Sequence, residues 1–263
     1  MKKTFTKVAF ALMGLILFSA CGDDDSATEE FSIANGNITP KFIKTMTSTD
    51  SSSGSNAALT TFNYDSSNRL ISILSNEETT SFVFENGTLV NIIGDAANTL
   101  GDDDNLSIAQ FYEAPYDAFE LGEAREYDAN LNPRIIDVYQ DEFNQNSGSV
   151  ERVTYTSTVE YEAQHNLFFY TMQAAGIIDV LDGVRLNLSM MPVPSEIAIA
   201  RALLPVNNFK TITTRNAANE IVFTINATYV YDSDNYPTSA TVTTVDIVNN
   251  ETDTFNTTFT YKN

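Results

Sequence analysis

The feature that most constrains this sequence is an alternation of apolar and polar residues with a period of two. It is clearest over residues 153–161, 223–231 and 255–261, where Val, Ile, Phe and Tyr alternate mainly with Thr, Asn and Glu. Such alternation predicts strands with one buried face and one solvated face, and therefore antiparallel pairing. The 31 threonines support this prediction because a β-branched polar residue suits the solvated face of a sheet. The sequence predicts a mainly β fold.

Length and charge limit the function classes. The chain has 263 residues, enough for one large all-β domain, and its formal net charge is −21. We expect no nucleic-acid partner, because binding a phosphate backbone requires a basic surface. A single Cys and a single His exclude cysteine-cluster and two-histidine metal sites, and we expect no metal and no cofactor.

The N-terminus has the pattern of a secretory signal. Lys2, Lys3 and Lys7 precede an uninterrupted apolar run over residues 8–18. This run is shorter than the roughly 20 residues of a membrane span and fits the apolar core of a signal peptide. We assign residues 1–20 to this signal.

The sole cysteine, Cys21, directly follows Phe18, Ser19 and Ala20. This arrangement resembles the lipobox of bacterial lipoproteins, although Phe18 stands where that family usually has Leu. The resemblance implies cleavage before Cys21 and lipidation of its side chain, and hence a membrane partner through an N-terminal anchor.

An acidic run follows the cysteine: Gly22, Asp23, Asp24 and Asp25. It resembles the export signal of Bacteroidota lipoproteins, which implies an outer-membrane location facing the cell exterior. A plain solvated spacer is the alternative. Residues 21–37 are mainly polar and acidic, with Phe31 as their single aromatic residue, and are predicted to form an acidic tether. A first strand is expected at 41–46 and a Ser-rich loop at 47–57.

A recurrent phrase ends many of the predicted strands: an aromatic residue, an acid, a few small or polar residues and then Leu or Pro. It begins at Tyr64-Asp65, Phe84-Glu85, Tyr127-Asp128, Tyr161-Glu162 and Tyr231-Asp232, with a degenerate copy at Arg215-Asn216. In each copy we expect the aromatic ring to lie on the buried face. The acid should accept hydrogen bonds from turn N–H groups, and an Asn should take the strained position.

These phrases resemble the Tyr-Asp repeats of Rhs-type proteins. They are more similar to Bacteroidota lipoproteins with a porin-like domain of unknown function. The resemblance covers residues 38–263 and implies a large curved antiparallel sheet, or an open or partial barrel of hairpins. The resemblance implies no catalytic residues for this sequence.

The segment near 171–206 departs from the hairpin pattern. Apolar residues at helical spacing over 172–181 and 195–204 predict two short inserted helices, with Gly176 a weak point in the first. A third helix is expected over 105–112.

Candidate catalytic and metal-binding residues are few. His165 lies in a predicted turn, where we expect it to be solvated, and no Gly-x-Ser-x-Gly motif accompanies it. The acids Asp102, Asp103 and Asp104 lack EF-hand spacing, and Asp232 with Asp234 also completes a repeat turn. We expect solvated loops at both places and assign no catalytic residue.

The sequence therefore favours a lipid-anchored, noncatalytic envelope protein that acts as a structural or interaction module. The alternative is an accessory carbohydrate-binding or glycan-processing surface lipoprotein. Tyr112, Tyr116 and Tyr139 could then serve as sugar platforms. Exposed tyrosines would favour that alternative, whereas buried ones would favour the module.

Overall fold

The structure of the protein is a computed structural model. It describes residues 27–51, 57–75, 78–94, 105–107, 122–144, 147–180 and 205–262. These residues form one antiparallel sheet of thirteen strands with two short helices and a further helical turn at residues 177–180. The prediction of a mainly β fold with a large antiparallel sheet is confirmed.

The helices are α1 (Ala27–Asn35) and α2 (Phe169–Ala174). The first seven strands are β1 (Phe42–Asp50), β2 (Ala58–Tyr64), β3 (Leu70–Ser75), β4 (Glu78–Glu85), β5 (Thr88–Ile93), β6 (Asn105–Ser107) and β7 (Gly122–Tyr127). The remaining six are β8 (Pro133–Asn144), β9 (Ser149–His165), β10 (Asn207–Arg215), β11 (Ile221–Tyr231), β12 (Pro237–Asp246) and β13 (Glu251–Lys262).

Two meanders make up the sheet, and their first and last strands join them. The spatial order is β6-β5-β4-β3-β2-β1-β13-β12-β11-β10-β9-β8-β7. β1 pairs with β13 from Phe42 opposite Lys262 to Asp50 opposite Phe255. Within the described residues the sheet is open, because β6 and β7 each have one neighbouring strand.

The two ends of the sheet differ. The helix end contains the turns 65–69, 86–87, 128–132 and 232–236, the first residues of β1 and β10, the last of β9 and β13, and both helices. The far end contains the turns 216–220 and 247–250. Most repeat phrases therefore meet at the helix end, although they are scattered along the sequence.

The segment after β9 packs against one face of the sheet. Leu167, Ala175 and Val180 join a core with residues such as Ile43, Phe62, Leu89 and Phe259, which come from β1, β2, β5 and β13. A second cluster joins α1 to α2 through Ala27, Phe31, Phe169 and Met172.

Gly176 ends α2 and allows the chain to approach β5. Its φ of +75° is in the left-handed region, and a Cβ atom there would lie 2.9 Å from Cβ of Leu89. A helical turn resumes at residues 177–180. The weak point predicted at Gly176 is thus a break at a tight contact.

Several predictions are wrong at particular residues. Residues 105–107 form β6 and not the start of a helix, because they pair with Asn91, Ile92 and Ile93 of β5. β1 extends to Asp50, into the predicted Ser-rich loop. Within the predicted acidic tether, residues 27–35 form α1, and Phe31 of this helix is buried.

The phrase beginning at Tyr161 is also different from its prediction. It forms no turn, since β9 continues through His165 and pairs with β10. Residues 1–26 and 195–204 lie outside the described residues. Among the residues described, no helix is long and apolar enough to cross a membrane.

Candidate functional site

The repeat phrase forms the same kind of turn four times. Three of these turns lie at the helix end, and the fourth lies at the far end. In each turn an Asp or Asn side chain accepts hydrogen bonds from the backbone N–H groups two and four residues later, at 2.8–3.0 Å. The residues that accept are Asp65, Asp128, Asn216 and Asp232. The predicted role of the acid in the turn is therefore confirmed at Asp65, Asp128 and Asp232.

The position three residues after the acceptor has a positive φ in all four turns. Asn68, Asn219 and Asn235 occupy it at 63–64°. In the fourth turn the residue is Leu131, at 66°, and not the Asn130 that the phrase suggested. A left-handed conformation costs a bulky side chain about 1–2 kcal/mol. Leu131 is also 54% exposed, so its side chain recovers little of this cost by burial.

Four tyrosines connect neighbouring strands near the helix end. Their hydroxyl groups donate to backbone carbonyls that lie at or near the start of an adjacent strand, at 2.6–3.0 Å. The donor and acceptor residues are Tyr64 and Ile43, Tyr161 and Pro133, Tyr229 and Phe209, and Tyr261 and Pro237. Burial raises the pKa of Tyr161 and Tyr261 well above the ordinary value, which agrees with rings that pack inside the fold.

Two repeat tyrosines differ from this pattern. Tyr127 is 36% exposed, so the prediction that each repeat ring lies on the buried face is wrong there. Its strand, β7, is an edge strand and has a neighbour on one side among the described residues. The hydroxyl of Tyr231 is buried without a well-aligned hydrogen-bond partner in the described structure.

The Asp232 turn carries an ion pair to the start of β1. Lys41 Nζ lies 2.6 Å from Asp232 Oδ2 and 2.8 Å from Asp234 Oδ2. Although burial alone would raise the pKa of Asp232, hydrogen bonds from Lys41 and from two backbone N–H groups lower it. The two acids with calcium-like spacing thus bind a side-chain cation, which removes the reason to place a metal there.

The Asp65 turn has a similar ion pair. Arg69 Nη2 lies 2.7 Å from Asp65 Oδ2, and the hydrogen bond from the Arg69 backbone N–H is the main cause of the lowered pKa of Asp65. Arg69, Phe42, Phe84 and Gln173 line a pocket of about 360 Å³ that opens beside this turn. The Arg69 guanidinium is already paired with Asp65, so the pocket offers no unpaired Arg69 charge to an anionic substrate.

His165 is buried, which contradicts the expectation of a solvated turn residue. It is 2% exposed, and its ring meets the rings of Tyr236 and Phe31 edge-on, with centroids 4.4 Å and 6.2 Å away. Burial lowers the pKa of His165 to about 4, so the imidazole is neutral at neutral pH. Its Nε2 atom is buried without a hydrogen-bond partner among the described residues.

A buried asparagine network, which the sequence analysis missed, joins three elements at the helix end. Asn132 Nδ2 donates to Asn207 Oδ1 at 2.8 Å, and Asn207 Nδ2 donates to Asn35 Oδ1 at 3.1 Å. Asn132 Oδ1 accepts from the backbone N–H groups of Val206 and Asn207. The network ties the 128–132 turn, β10 and α1 together. No sequence signal marks it, because Asn is usually an exposed turn residue.

The structure leaves several candidate residues without a test. Cys21, Gly22, Asp23, Asp24 and Asp25 lie outside the described residues, as do Asp102–Asp104, Tyr112 and Tyr116. Tyr139 is half-buried beside the Arg152 guanidinium. Over the described ranges, no three His, Cys, Asp or Glu side chains are grouped as metal ligands would be.

Comparison with known proteins adds similarities of arrangement. No family model matches the sequence, and no curated protein matches it significantly. A porin-like protein from Bacteroides uniformis is similar with a TM-score of 0.37 and 12% identity, over 86% of this chain and 99% of the other. One from Bacteroides vulgatus has a TM-score of 0.34 and 11% identity, over 85% and 99%.

A third similar structure is an outer membrane lipoprotein-sorting protein domain from Vibrio parahaemolyticus. Its TM-score is 0.30 and its identity 9%, over 89% of this chain and 90% of that one.

Proposed function

We propose that the protein is a lipid-anchored, noncatalytic protein of the outer membrane that faces the cell exterior and serves as a structural or interaction module. The observation that carries this proposal is the position of the sole cysteine, Cys21, directly after an apolar run that is too short to span a membrane. Two or more acyl chains on Cys21 would hold the protein stably, whereas one chain gives marginal binding.

The use of the repeat residues supports a noncatalytic role. Asp65 and Asp232 accept hydrogen bonds from backbone N–H groups. Asp65 also forms an ion pair with Arg69, and Asp232 forms one with Lys41, so both carboxylates have their partners within the fold. The hydroxyls of Tyr64 and Tyr161 donate to backbone carbonyls. A general acid or base must instead face its substrate with a free proton or lone pair. These residues stabilise the sheet.

Cell fractionation of a Cys21→Ala variant tests the anchor. We expect the variant to leave the membrane fraction and to accumulate as the uncleaved precursor, because the lipidated sulfur would be missing. Ser26→Ala is the matched control, since it changes a nearby small residue and keeps Cys21. A Cys21→Ala protein that is cleaved and stays in the membrane would exclude this anchor.

Carbohydrate binding is the second candidate, and the exposure of Tyr127 favours it. An exposed ring on an edge strand is suited to stack on a sugar. Tyr127→Ala should then abolish retention on a glycan array and leave the melting temperature unchanged. Full retention by the variant would remove Tyr127 as a platform.

A further inference from the structure

Ile33 and Leu131 are two of the large apolar side chains exposed at the helix end, where Val230 and Tyr127 are also exposed. Ile33 on α1 is 72% exposed, and Leu131 in the 128–132 turn is 54% exposed. Leu131 stands where the three equivalent turns have Asn68, Asn219 and Asn235, and it has the same left-handed backbone. A strained, exposed apolar residue at a place that suits Asn has no structural benefit within the described fold. Strain of this kind is often retained at functional positions.

The asparagine network joins the two segments that carry these side chains. Asn132, next to Leu131, donates to Asn207, and Asn207 donates to Asn35, two residues after Ile33. Asn130, on the other side of Leu131, also donates to Asn207 Oδ1, at 3.2 Å. The two segments that carry Ile33 and Leu131 are therefore joined through the buried side chain of Asn207.

The chain length before α1 places this end near the anchor. Ala27 is buried and lies six residues after Cys21. Six residues span at most about 20 Å when fully extended. β9 alone has 17 residues and is about 55 Å long at 3.3 Å per residue. A lipid on Cys21 thus keeps the helix end at the bilayer, whereas the far end can stand away from it.

The charge distribution agrees with this orientation. Most basic side chains of the described residues lie within a few positions of the helix end: Lys41, Lys44, Arg69, Arg125, Arg134, Lys210 and Lys262. Arg152 and Arg215 lie toward the far end, where the acids Asp50, Glu78, Glu142, Glu220, Asp246 and Glu251 outnumber them. The helix end also carries acids, among them Glu29, Glu30, Asp65, Asp128, Asp232 and Asp234, so it is less negative than the far end without being basic. Lipid phosphates would therefore repel the helix end less strongly than the far end.

We propose that Ile33 and Leu131 form a membrane-contacting surface that inserts into the bilayer interface beside the lipid on Cys21. This inference rests on the proposed lipid anchor. The contact would fix the sheet upright on the membrane, with its far end projecting outward.

Single-tryptophan variants test the surface, because the natural chain contains no Trp. The mature chain, residues 21–263, is coupled through Cys21 to a maleimide lipid in phosphatidylcholine vesicles. Ile33→Trp and Leu131→Trp should shift their emission to shorter wavelength on coupling, and brominated lipid tails should quench them. Val248→Trp is the control, since Val248 is 73% exposed at the far end and should keep its emission.

Two results would overturn the proposal. Emission from Ile33→Trp and Leu131→Trp that stays unchanged on coupling would show that this end does not enter the bilayer. A shift in all three variants would show that the sheet lies flat. Because the lipid is attached chemically, either result is independent of whether cells lipidate Cys21, which the fractionation of Cys21→Ala decides separately.

Leu131→Asn gives a second test in the Ile33→Trp background. Asn suits the left-handed position, so the melting temperature should stay equal or rise, while the emission shift on coupling should become smaller. A more stable protein with weaker membrane contact would separate this role from folding. An undiminished shift would show that Leu131 takes no part and would overturn the two-residue surface.

Discussion

The ring of Phe31 stacks on the ring of Phe169, with centroids 3.8 Å apart and planes inclined by 11°. This contact joins α1 to the segment that packs on the sheet, and both rings are at most 1% exposed. It makes residues 27–35 part of the folded domain. The stretch between Cys21 and the domain is therefore short, which would limit how far the sheet can move from the proposed lipid anchor.

Phe31→Ala should destabilise the protein strongly, because it removes a fully buried ring. The expected loss is about 3–5 kcal/mol of unfolding free energy, measured by denaturant unfolding of the mature chain. Ile33→Ala on the same helix is the control and should change the free energy by less than about 0.5 kcal/mol. Equal effects of the two substitutions would contradict the packing of α1.

The tyrosine hydroxyls should differ in their contribution to stability. Tyr161→Phe removes the bond to the Pro133 carbonyl, 2.7 Å long, and should cost about 1 kcal/mol. Tyr231→Phe should be neutral or stabilising, because its buried hydroxyl has no well-aligned partner. Alanine at either position should cost about 3–5 kcal/mol. Thermal unfolding curves that overlay the wild type would instead indicate exposed rings.

Asp232 has two separable roles, and Asn and Ala substitutions distinguish them. Asp232→Asn keeps an oxygen for the turn, as Asn216 does in its own turn, and loses the ion pair with Lys41. It should cost no more than about 1 kcal/mol, less at high salt. Asp232→Ala also loses both N–H bonds and should cost about 1–3 kcal/mol more in unfolding free energy. Equal losses would assign the whole effect to the ion pair.

Burial of His165 should make stability depend on pH. The folded-state pKa is about 4, below the ordinary 6.5, so the unfolded chain binds this proton first as the pH falls. Stability from the neutral imidazole is complete above about pH 6.5 and decreases down to about pH 4, by a total on the order of 3 kcal/mol. Urea unfolding at a series of pH values across this range should show that the free energy of unfolding decreases as the pH falls. His165→Gln should flatten this dependence, and an equal slope in the variant would assign it to other groups.

The acidic run after Cys21 should direct surface display. Replacing Asp23, Asp24 and Asp25 together with Ala should remove protease accessibility on whole cells and keep the protein in the membrane fraction. Replacement by Glu is the control, because it keeps the charge. Accessibility that does not change with Ala would leave this run as a spacer.

The strand pattern could be predicted from the sequence because alternation and turn chemistry are local. Asn86-Gly87 forms the expected two-residue hairpin, with φ values of 51° and 88°. The prediction of a turn after Tyr161 is wrong because Glu162 stands where the other turns have Asp or Asn, and its longer side chain does not close the same turn. In addition, His165 occupies the position at which Asn adopts the left-handed conformation. Arg215-Asn216 forms the full turn without an aromatic. The turn thus depends on Asp or Asn, and the ring is dispensable.

The helix end could not be predicted because it depends on long-range contacts. α1 has Phe31 as its one large buried apolar residue, so its sequence resembles a tether until Phe169 is placed beneath it. Asn132 and Asn207 are 75 positions apart in the chain. Pairing of His165 with Asn207 likewise extends β9 through a predicted turn.

The most direct test of the central claim is mass spectrometry of the N-terminal peptide from membrane-purified protein. We expect this peptide to begin at Cys21, to carry the mass of two or three acyl chains, and to lack residues 1–20. A peptide with an unmodified Cys21, or one cleaved at another position, would contradict the lipid anchor and the function proposed from it.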